Sequence, residues 1–75
     1  MKILDQAREI RKRKGLSQAE AGSRVGWSGA MVSHCEQAKG ALTLGTLRTY
    51  LKAVGCRLEA FVVDEETGGE ERVDL

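Results

Sequence analysis

Residues 17–36, SQAEAGSRVGWSGAMVSHCE, decide the fold of this 75-residue chain. Ser17 followed three residues later by Glu20 is a capping box, in which each side chain satisfies a free backbone amide at a helix start. Gly26 lies where that helix must end, because glycine adopts the left-handed conformation at little cost. Ser28 offers a second cap, so the stretch predicts two short helices joined by a tight turn.

Two helices of about two turns each, joined by a short turn that contains glycine, are typical of the helix-turn-helix motif of DNA-binding proteins. Gly22 costs about 1 kcal/mol relative to alanine inside a helix, so it predicts close helix packing. Cys35 is most simply a small core residue on the inward face. The outer face holds Gly29, Ala30, Ser33 and His34. His34 has two interpretations, an exposed polar residue and a base or phosphate contact.

Apolar residues at helical spacing predict one further helix on each side of this motif. The helix before it, residues 2–14, ends in four cations followed by Gly15. Cations in the last turn suit the helix dipole, so they have a structural explanation beside an electrostatic one. After the motif, Thr43 is a candidate cap. The stripe of the helix that follows it is Leu44, Leu47, Tyr50, Leu51 and Val54.

The hydrophobic period changes over residues 56–63, CRLEAFVV, where β-branched residues accumulate and favour a strand. A lone strand has unpaired edge groups, so we expect antiparallel pairing with the same strand of a second copy across a two-fold axis. The residues expected at this dimer interface are Leu58, Ala60, Phe61 and Val62. A fifth short helix over residues 58–63 is the alternative.

Charge is distributed unevenly, although the formal net charge is only +1. Residues 64–75 hold six acidic side chains and one basic side chain, a net charge of −5, which leaves +6 on residues 1–63. A basic body suits a polyanionic partner, although a tail that only aids solubility would give the same pattern. The tail has few apolar residues to bury, so we expect it to be disordered.

Several classes of protein are disfavoured by the composition. Cys35 and Cys56 are expected as free thiols, because no secretory signal accompanies them. One histidine and two unpaired cysteines cannot complete a four-ligand metal site, so we expect no metal and no cofactor. No nucleophile–base pair indicates an enzyme. No apolar run approaches the roughly 20 residues of a membrane span, so we expect a cytoplasmic protein without membrane contact.

The chain from about Ile3 to Val63 resembles the Cro/C1-type (XRE) helix-turn-helix family. The residues that carry the resemblance are GLSQAE at 15–20, RVG at 24–26, Val32-Ser33 with Glu36, and LRTYLKAVGCRLEAFV at 47–62. The last stretch, a helix followed directly by a strand, resembles antitoxins of the HigA and HipB kind. Phage-type repressors usually place another helix there.

This resemblance implies a mainly α fold, namely a four-helix lambda-repressor-like DNA-binding domain whose C-terminal strand pairs across a dimer. The domain would span residues 1–63, with the helix-turn-helix at 18–37, the dimerisation strand at 56–63 and an acidic tail at 64–75. The implied function is a sequence-specific DNA-binding repressor that is the antitoxin of a type II toxin–antitoxin operon. It would regulate that operon and neutralise its toxin.

The implied partners are double-stranded DNA with a pseudo-palindromic operator, a second copy of the chain, and a cognate toxin protein. Two alternatives stay open. One is a protein-interaction module on the same scaffold with weak DNA specificity, and the other is a phage-type repressor. A helical domain with a merely solvated basic face would carry neither function.

Residue roles follow from the same resemblance. Gln18 and Ser28 match positions that contact DNA phosphates, and Lys39, with Gln37, would hold the backbone just after the third helix. A pair that bridges the first and third helices is matched by Arg11 and Glu36. The base-reading positions are Gly29, Ala30, Ser33 and His34. The first two offer only close approach or a thymine-methyl contact, so recognition is expected to lean on phosphate contacts and DNA shape.

Overall fold

A computed structural model describes residues 2–38 and 42–74 of the protein. In these ranges the chain forms α1 (Lys2–Arg13), α2 (Gln18–Ser23), α3 (Gly29–Glu36), α4 (Leu44–Ala53), β1 (Ala60–Val63) and β2 (Glu70–Val73). The expectation of a mainly helical, four-helix fold is confirmed. Within the same ranges, no helix is long and apolar enough to cross a membrane.

Side-chain caps start three of the helices. The Ser17 hydroxyl accepts from the Glu20 amide at 3.0 Å and the Ser17 amide donates to Glu20 Oε1 at 3.2 Å, which completes the capping box before α2. Ser28 and Thr43 accept at 3.2 Å from the amides three residues on, at the starts of α3 and α4. Gly26 lies between α2 and α3 with a φ of +74°, the left-handed value that its place in the turn predicted.

One core lies between the helices. Its largest fully buried side chains are Leu4, Val32, Cys35, Tyr50 and Val54. Burial of Cys35 confirms its interpretation as a core residue, and both cysteines are free thiols. The expectation for Leu44 was wrong, because its side chain is 51% exposed. Leu44 occupies the first position of α4, and the buried stripe begins one turn later, at Leu47.

The acidic tail is not disordered up to Asp74, which corrects the expectation from composition. Residues Glu70–Val73 form β2 and pair antiparallel with β1, with Phe61 opposite Arg72. Local turn chemistry holds the hairpin: Asp64 Oδ1 accepts from the Glu66 amide at 2.9 Å, and Gly68 has a φ of +77°. Asx turns and a left-handed glycine order a hairpin without a large apolar surface, so counting apolar residues misjudged this segment.

The strand itself is shorter than expected. It covers Ala60–Val63, while residues 56–59 lead into it without regular structure, and the alternative of a short helix over 58–63 is wrong. Leu58 packs against the helical core, so this member of the expected dimer interface is partly used within the chain. Because β1 pairs with β2, the strand is not alone, and the lone-strand reasoning for a dimer no longer holds in its original form.

Candidate nucleic-acid interface

The helices α2 and α3 pack so closely that a Cβ atom would be excluded at Gly22 and crowded at Gly29. A Cβ atom on Gly22 would lie 2.6 Å from the carbonyl oxygen of Trp27 and 2.9 Å from that of Ser28. A Cβ atom on Gly29 would lie 3.1 Å from the backbone nitrogen of Ala19. Close packing at Gly22 was predicted from the sequence and is confirmed. At Gly29, which is half-buried, packing on α2 explains the missing side chain without reference to DNA.

The outer face of α3 is small and sparsely polar. Ala30 and His34 are exposed, and Ser33 is half-buried with its hydroxyl accepting from Gln37 Nε2 at 3.1 Å. The Ser33 hydroxyl still has a proton to donate. Side chains that make two-pronged hydrogen bonds to base edges do not occur among these outward residues, apart from Gln37 at the end of the helix.

The two expected phosphate contacts each keep a free donor. Gln18, the first residue of α2, donates one amide hydrogen to Glu36 Oε1 at 3.1 Å, which leaves its second amide hydrogen available. Ser28 accepts from the backbone of α3 and retains its own O–H group. Lys39, the third candidate, lies outside the described residues.

A buried hydrogen-bond network fixes α3 against α1, α2 and α4. Glu36 receives Arg11 Nε at 2.7 Å and Arg11 Nη2 at 3.1 Å, so the pair that the resemblance implied forms a two-pronged bridge. Gln18 and Tyr50 complete the shell, the Tyr50 hydroxyl donating at 2.8 Å. Arg11 also donates to the carbonyl of Leu16 at 2.8 Å. Every oxygen of the buried carboxylate is therefore paired, as a buried charge requires.

Sequence reasoning missed two members of this network. Tyr50 was assigned only to an apolar stripe, and Gln18 only to a phosphate contact. A buried tyrosine hydroxyl needs a hydrogen-bond partner, and Glu36 was already expected to face inward. A tyrosine on the buried stripe and an inward-facing glutamate together could have indicated the bond between Tyr50 and Glu36. The consequence is that Gln18, a candidate DNA contact, is oriented by the same carboxylate that anchors α3.

The network shifts the pKa values of its members. Burial alone would raise the pKa of Glu36, but hydrogen bonds from Arg11, Gln18 and Tyr50 outweigh it and leave the pKa below its ordinary value. Burial, followed by the hydrogen bond to Glu36, raises the pKa of Tyr50 far above its ordinary value. The hydrogen bond to Glu36 raises the pKa of Arg11.

These shifts predict how stability depends on pH. Since the pKa of Glu36 is lower in the folded chain, its contribution is complete above about pH 4.3 and is lost as the pH falls through the folded pKa. Since the pKa of Tyr50 is raised, its contribution is complete below about pH 10 and is lost above it. Urea midpoints measured from pH 3 to 11 should form a plateau between two falling limbs.

Two variants assign the limbs. Tyr50→Phe should reduce the alkaline limb, and Glu36→Gln should reduce the acid limb. Burial also raises the pKa of the Cys35 thiol, which should account for part of the alkaline limb that remains. The capping-box carboxylate Glu20, whose pKa is also lowered by hydrogen bonds with Ser17, should account for part of the acid limb that remains. Unchanged limbs in both variants would contradict the assignment.

Several cations near the motif have partners inside the protein. Lys14 donates to the carbonyl of Val54 at 2.8 Å, and Arg24 donates to that of Ala53 at 3.5 Å, so both cap the carboxyl end of α4. Arg11 is buried in the network described above. The cationic run at the end of α1 therefore serves the fold at its first and last positions, through contacts of Arg11 with Glu36 and of Lys14 with the end of α4, which differ from the expected interaction with the dipole of α1.

Comparison with protein families gives a match over most of the chain. A family model described as a helix-turn-helix domain matches residues 4–60. No curated protein matches the chain. Within residues 2–38 and 42–74, no three His, Cys, Asp or Glu side chains are grouped so that they could hold a metal ion.

Proposed function

The chain belongs to an XRE-like helix-turn-helix family, which indicates a DNA-binding regulator, and we propose that it is a sequence-specific transcriptional repressor that acts as a homodimer. The observation that carries the proposal is the outer face of α3. Ala30 and His34 are exposed there, while Glu36 at the far end of the same helix is locked to α1, α2 and α4. A helix held in this way presents its outer face in one orientation, as reading a groove requires.

Specificity in this proposal comes largely from geometry. Ser33 and His34 supply the few direct base contacts, and Gln18 and Ser28 supply neutral phosphate contacts. Two such units on one duplex would read half-sites about 34 Å apart, so the spacing set by the dimer adds to what each helix distinguishes. DNA shape would contribute at positions that no side chain reaches.

The experiment measures binding to the chain's own promoter and to a random duplex by fluorescence anisotropy over a range of salt concentrations. Affinity for both should fall steeply with salt, with a preference for the promoter at moderate salt. Gln18→Ala should weaken both complexes about tenfold, because it removes a hydrogen bond to a charged group. His34→Ala should reduce mainly the preference for the promoter.

Gln6→Ala is the matched control, since Gln6 is an exposed glutamine on α1 with no part in the candidate interface. It should change neither affinity. Urea unfolding of each variant separates a lost contact from a lost fold, which matters for Gln18 because it also bonds Glu36. Equal affinity of the unaltered protein for promoter and random duplex would refute the repressor function.

We further propose that the protein is the antitoxin of a type II toxin–antitoxin operon, which it regulates and whose toxin it neutralises. The strand β1 that follows α4 supports this, as does the exposed apolar surface of β1, where Phe61, Val62 and Val63 are all more than half exposed. A toxin gene beside this one, whose product co-purifies with the chain, would support the role. Growth arrest that co-expression does not relieve would contradict it.

A second function, a protein-interaction module with weak DNA specificity, is favoured by one observation. The lack of a side chain at Gly29 is accounted for by packing on Ala19, which leaves α3 with little that reads bases. This function predicts that a neighbouring gene product is bound equally well by Gln18→Ala and His34→Ala, while promoter preference is absent from the unaltered protein.

A further inference from the structure

The hairpin of β1 and β2 presents an unusual surface. Phe61 is 55% exposed, Val62 is 62% exposed and Val63 is 52% exposed, and these three residues are consecutive. In the described ranges β2 covers one edge of β1 and no strand covers the other. A two-stranded sheet is only marginally stable in water, and an open apolar edge is a template for another strand.

The hydrogen bonds of the hairpin determine which groups are free at that edge. The Asp64 amide donates to the Gly69 carbonyl at 2.8 Å, and Val62 is paired with Glu71 two residues further along the ladder. Hydrogen-bonded pairs alternate with non-bonded pairs in antiparallel sheets. Phe61 and Val63 therefore direct their N–H and C=O groups to the open edge, away from β2.

We propose that a second copy of the chain pairs with this open edge so that Phe61 of each copy lies opposite Phe61 of the partner subunit on a two-fold axis. The inference rests on the homodimer proposed above and fixes its register. Antiparallel pairing about Phe61 brings free groups to face free groups. It places the two aromatic rings on one face of a four-stranded sheet, with Ala60 opposite Val62 of the partner subunit on the other face.

Charge selects this register over its two neighbours. Centring the axis on Phe61 brings Arg57 close to Glu65 of the partner subunit, in the acidic turn. The side chain of Arg57 is 85% exposed in the single chain, where it pairs with Glu59 at 3.0 Å. It lines one groove in which the cations Arg48, Lys52, Arg57 and Arg72 outnumber the carboxylates Glu59 and Asp74. The acidic turn of the second copy would thus meet a basic surface, which is the complementarity that an interface favours.

The neighbouring registers lack this match. An axis centred on Val62 would bring Glu65 of the partner subunit near Glu59 instead of Arg57. Glu59 already pairs with Arg57 and Arg72 of its own chain, so the acidic turn would face a carboxylate there and gain no cation of its own. An axis centred on Ala60 would place Phe61 opposite Glu59 of the partner subunit, which leaves the aromatic rings apart. Each register thus has a different residue on the axis, so a cross-link at the axis distinguishes them.

The test uses single cysteines in a Cys56→Ser background, where the remaining native thiol, Cys35, is fully buried. Opposed residues on the axis have Cα atoms about 4.5–5.5 Å apart, within disulfide range, whereas residues one step off the axis are about 7–8 Å apart. Phe61→Cys should form a disulfide-linked dimer on mild oxidation. Ala60→Cys and Val62→Cys should remain largely uncross-linked.

A charge exchange gives an independent measurement. Arg57→Glu and Glu65→Arg should each weaken dimerisation about fivefold, and the double variant should recover most of the loss. Glu71→Arg makes the same change on β2, the strand that lies away from the axis, and should have little effect. Sedimentation equilibrium at low salt measures the dimer dissociation constant of each of these four variants.

The outcomes separate the register from the dimer. Preferential cross-linking of Val62→Cys or Ala60→Cys would overturn the register, and so would a dimer in which none of the three variants cross-links. A chain that stays monomeric in the sedimentation experiment would overturn the proposed dimer itself, and the inference with it. Recovery in the double variant, together with cross-linking at residue 61, would support both.

Discussion

Replacing Arg11 with methionine is expected to destabilise the fold by about 3–5 kcal/mol at neutral pH, because it leaves the carboxylate of Glu36 buried without its charged partner. Both side chains are almost fully buried, and the bridge is two-pronged. The loss is comparable with the whole stability expected of a domain this small. Far-UV circular dichroism during urea unfolding measures it.

Two controls isolate the buried charge. Arg8→Met removes an arginine one turn earlier whose pair with Asp5 is longer, at 3.6 Å, and largely solvated, so the expected loss is below about 0.5 kcal/mol. Adding Glu36→Gln to Arg11→Met should recover part of the stability, because the stranded charge is gone. Equal losses for Arg8→Met and Arg11→Met would show that the bridge contributes no more than an exposed pair.

The network also predicts that stability and the proposed DNA binding are connected. Gln18 bonds the same carboxylate as Arg11 and Tyr50, so a change that moves Glu36 also changes the position of a proposed phosphate contact. Arg11→Met should therefore weaken DNA binding more than its effect on the folded fraction predicts. Tyr50→Phe keeps the ion pair and should have the smaller effect on binding.

The parts of this fold that could be predicted from the sequence are those set by local chemistry. The capping box at Ser17 and the left-handed turn at Gly26 each depend on a few adjacent residues, and the structure has both. The hairpin turn is equally local, yet it was missed. The prediction of disorder relied on the acidic composition of the tail and overlooked two turn-forming residues. These are Asp64, which makes the Asx turn, and Gly68, which takes the left-handed conformation.

Features that depend on residues far apart in the sequence were harder to predict. The packing of Gly29 on Ala19 follows from how α2 crosses α3, and nothing within either helix specifies that distance. The hydroxyl of Tyr50 meets Glu36 across 14 residues of chain. At the candidate site, exposure of Ala30 and His34 followed from helical periodicity, whereas the internal bond of Gln18 required the assembled fold.

The packing of α2 on the turn before α3 makes Gly22→Ala the second strongly disruptive substitution. The new methyl group would lie 2.6 Å from the Trp27 carbonyl oxygen, and the contacting atoms belong to backbone rather than to a flexible side chain. Overpacking of a tight site costs about 1–3 kcal/mol, and alanine recovers up to about 1 kcal/mol of helix propensity. Because the clash is with main chain, we expect a net loss near the upper end, about 2 kcal/mol.

Gly45→Ala is the matched control for that substitution. Gly45 also lies inside a helix, α4, but a Cβ atom there would meet nothing within 4 Å. The same change should therefore stabilise the protein by up to about 1 kcal/mol, through helix propensity alone. If the change in the free energy of unfolding has opposite signs for Gly22→Ala and Gly45→Ala, steric exclusion at Gly22 is separated from the low helix propensity of glycine. If Gly22→Ala were also stabilising, α2 and α3 would have to sit further apart, and the orientation of the α3 outer face would change with them.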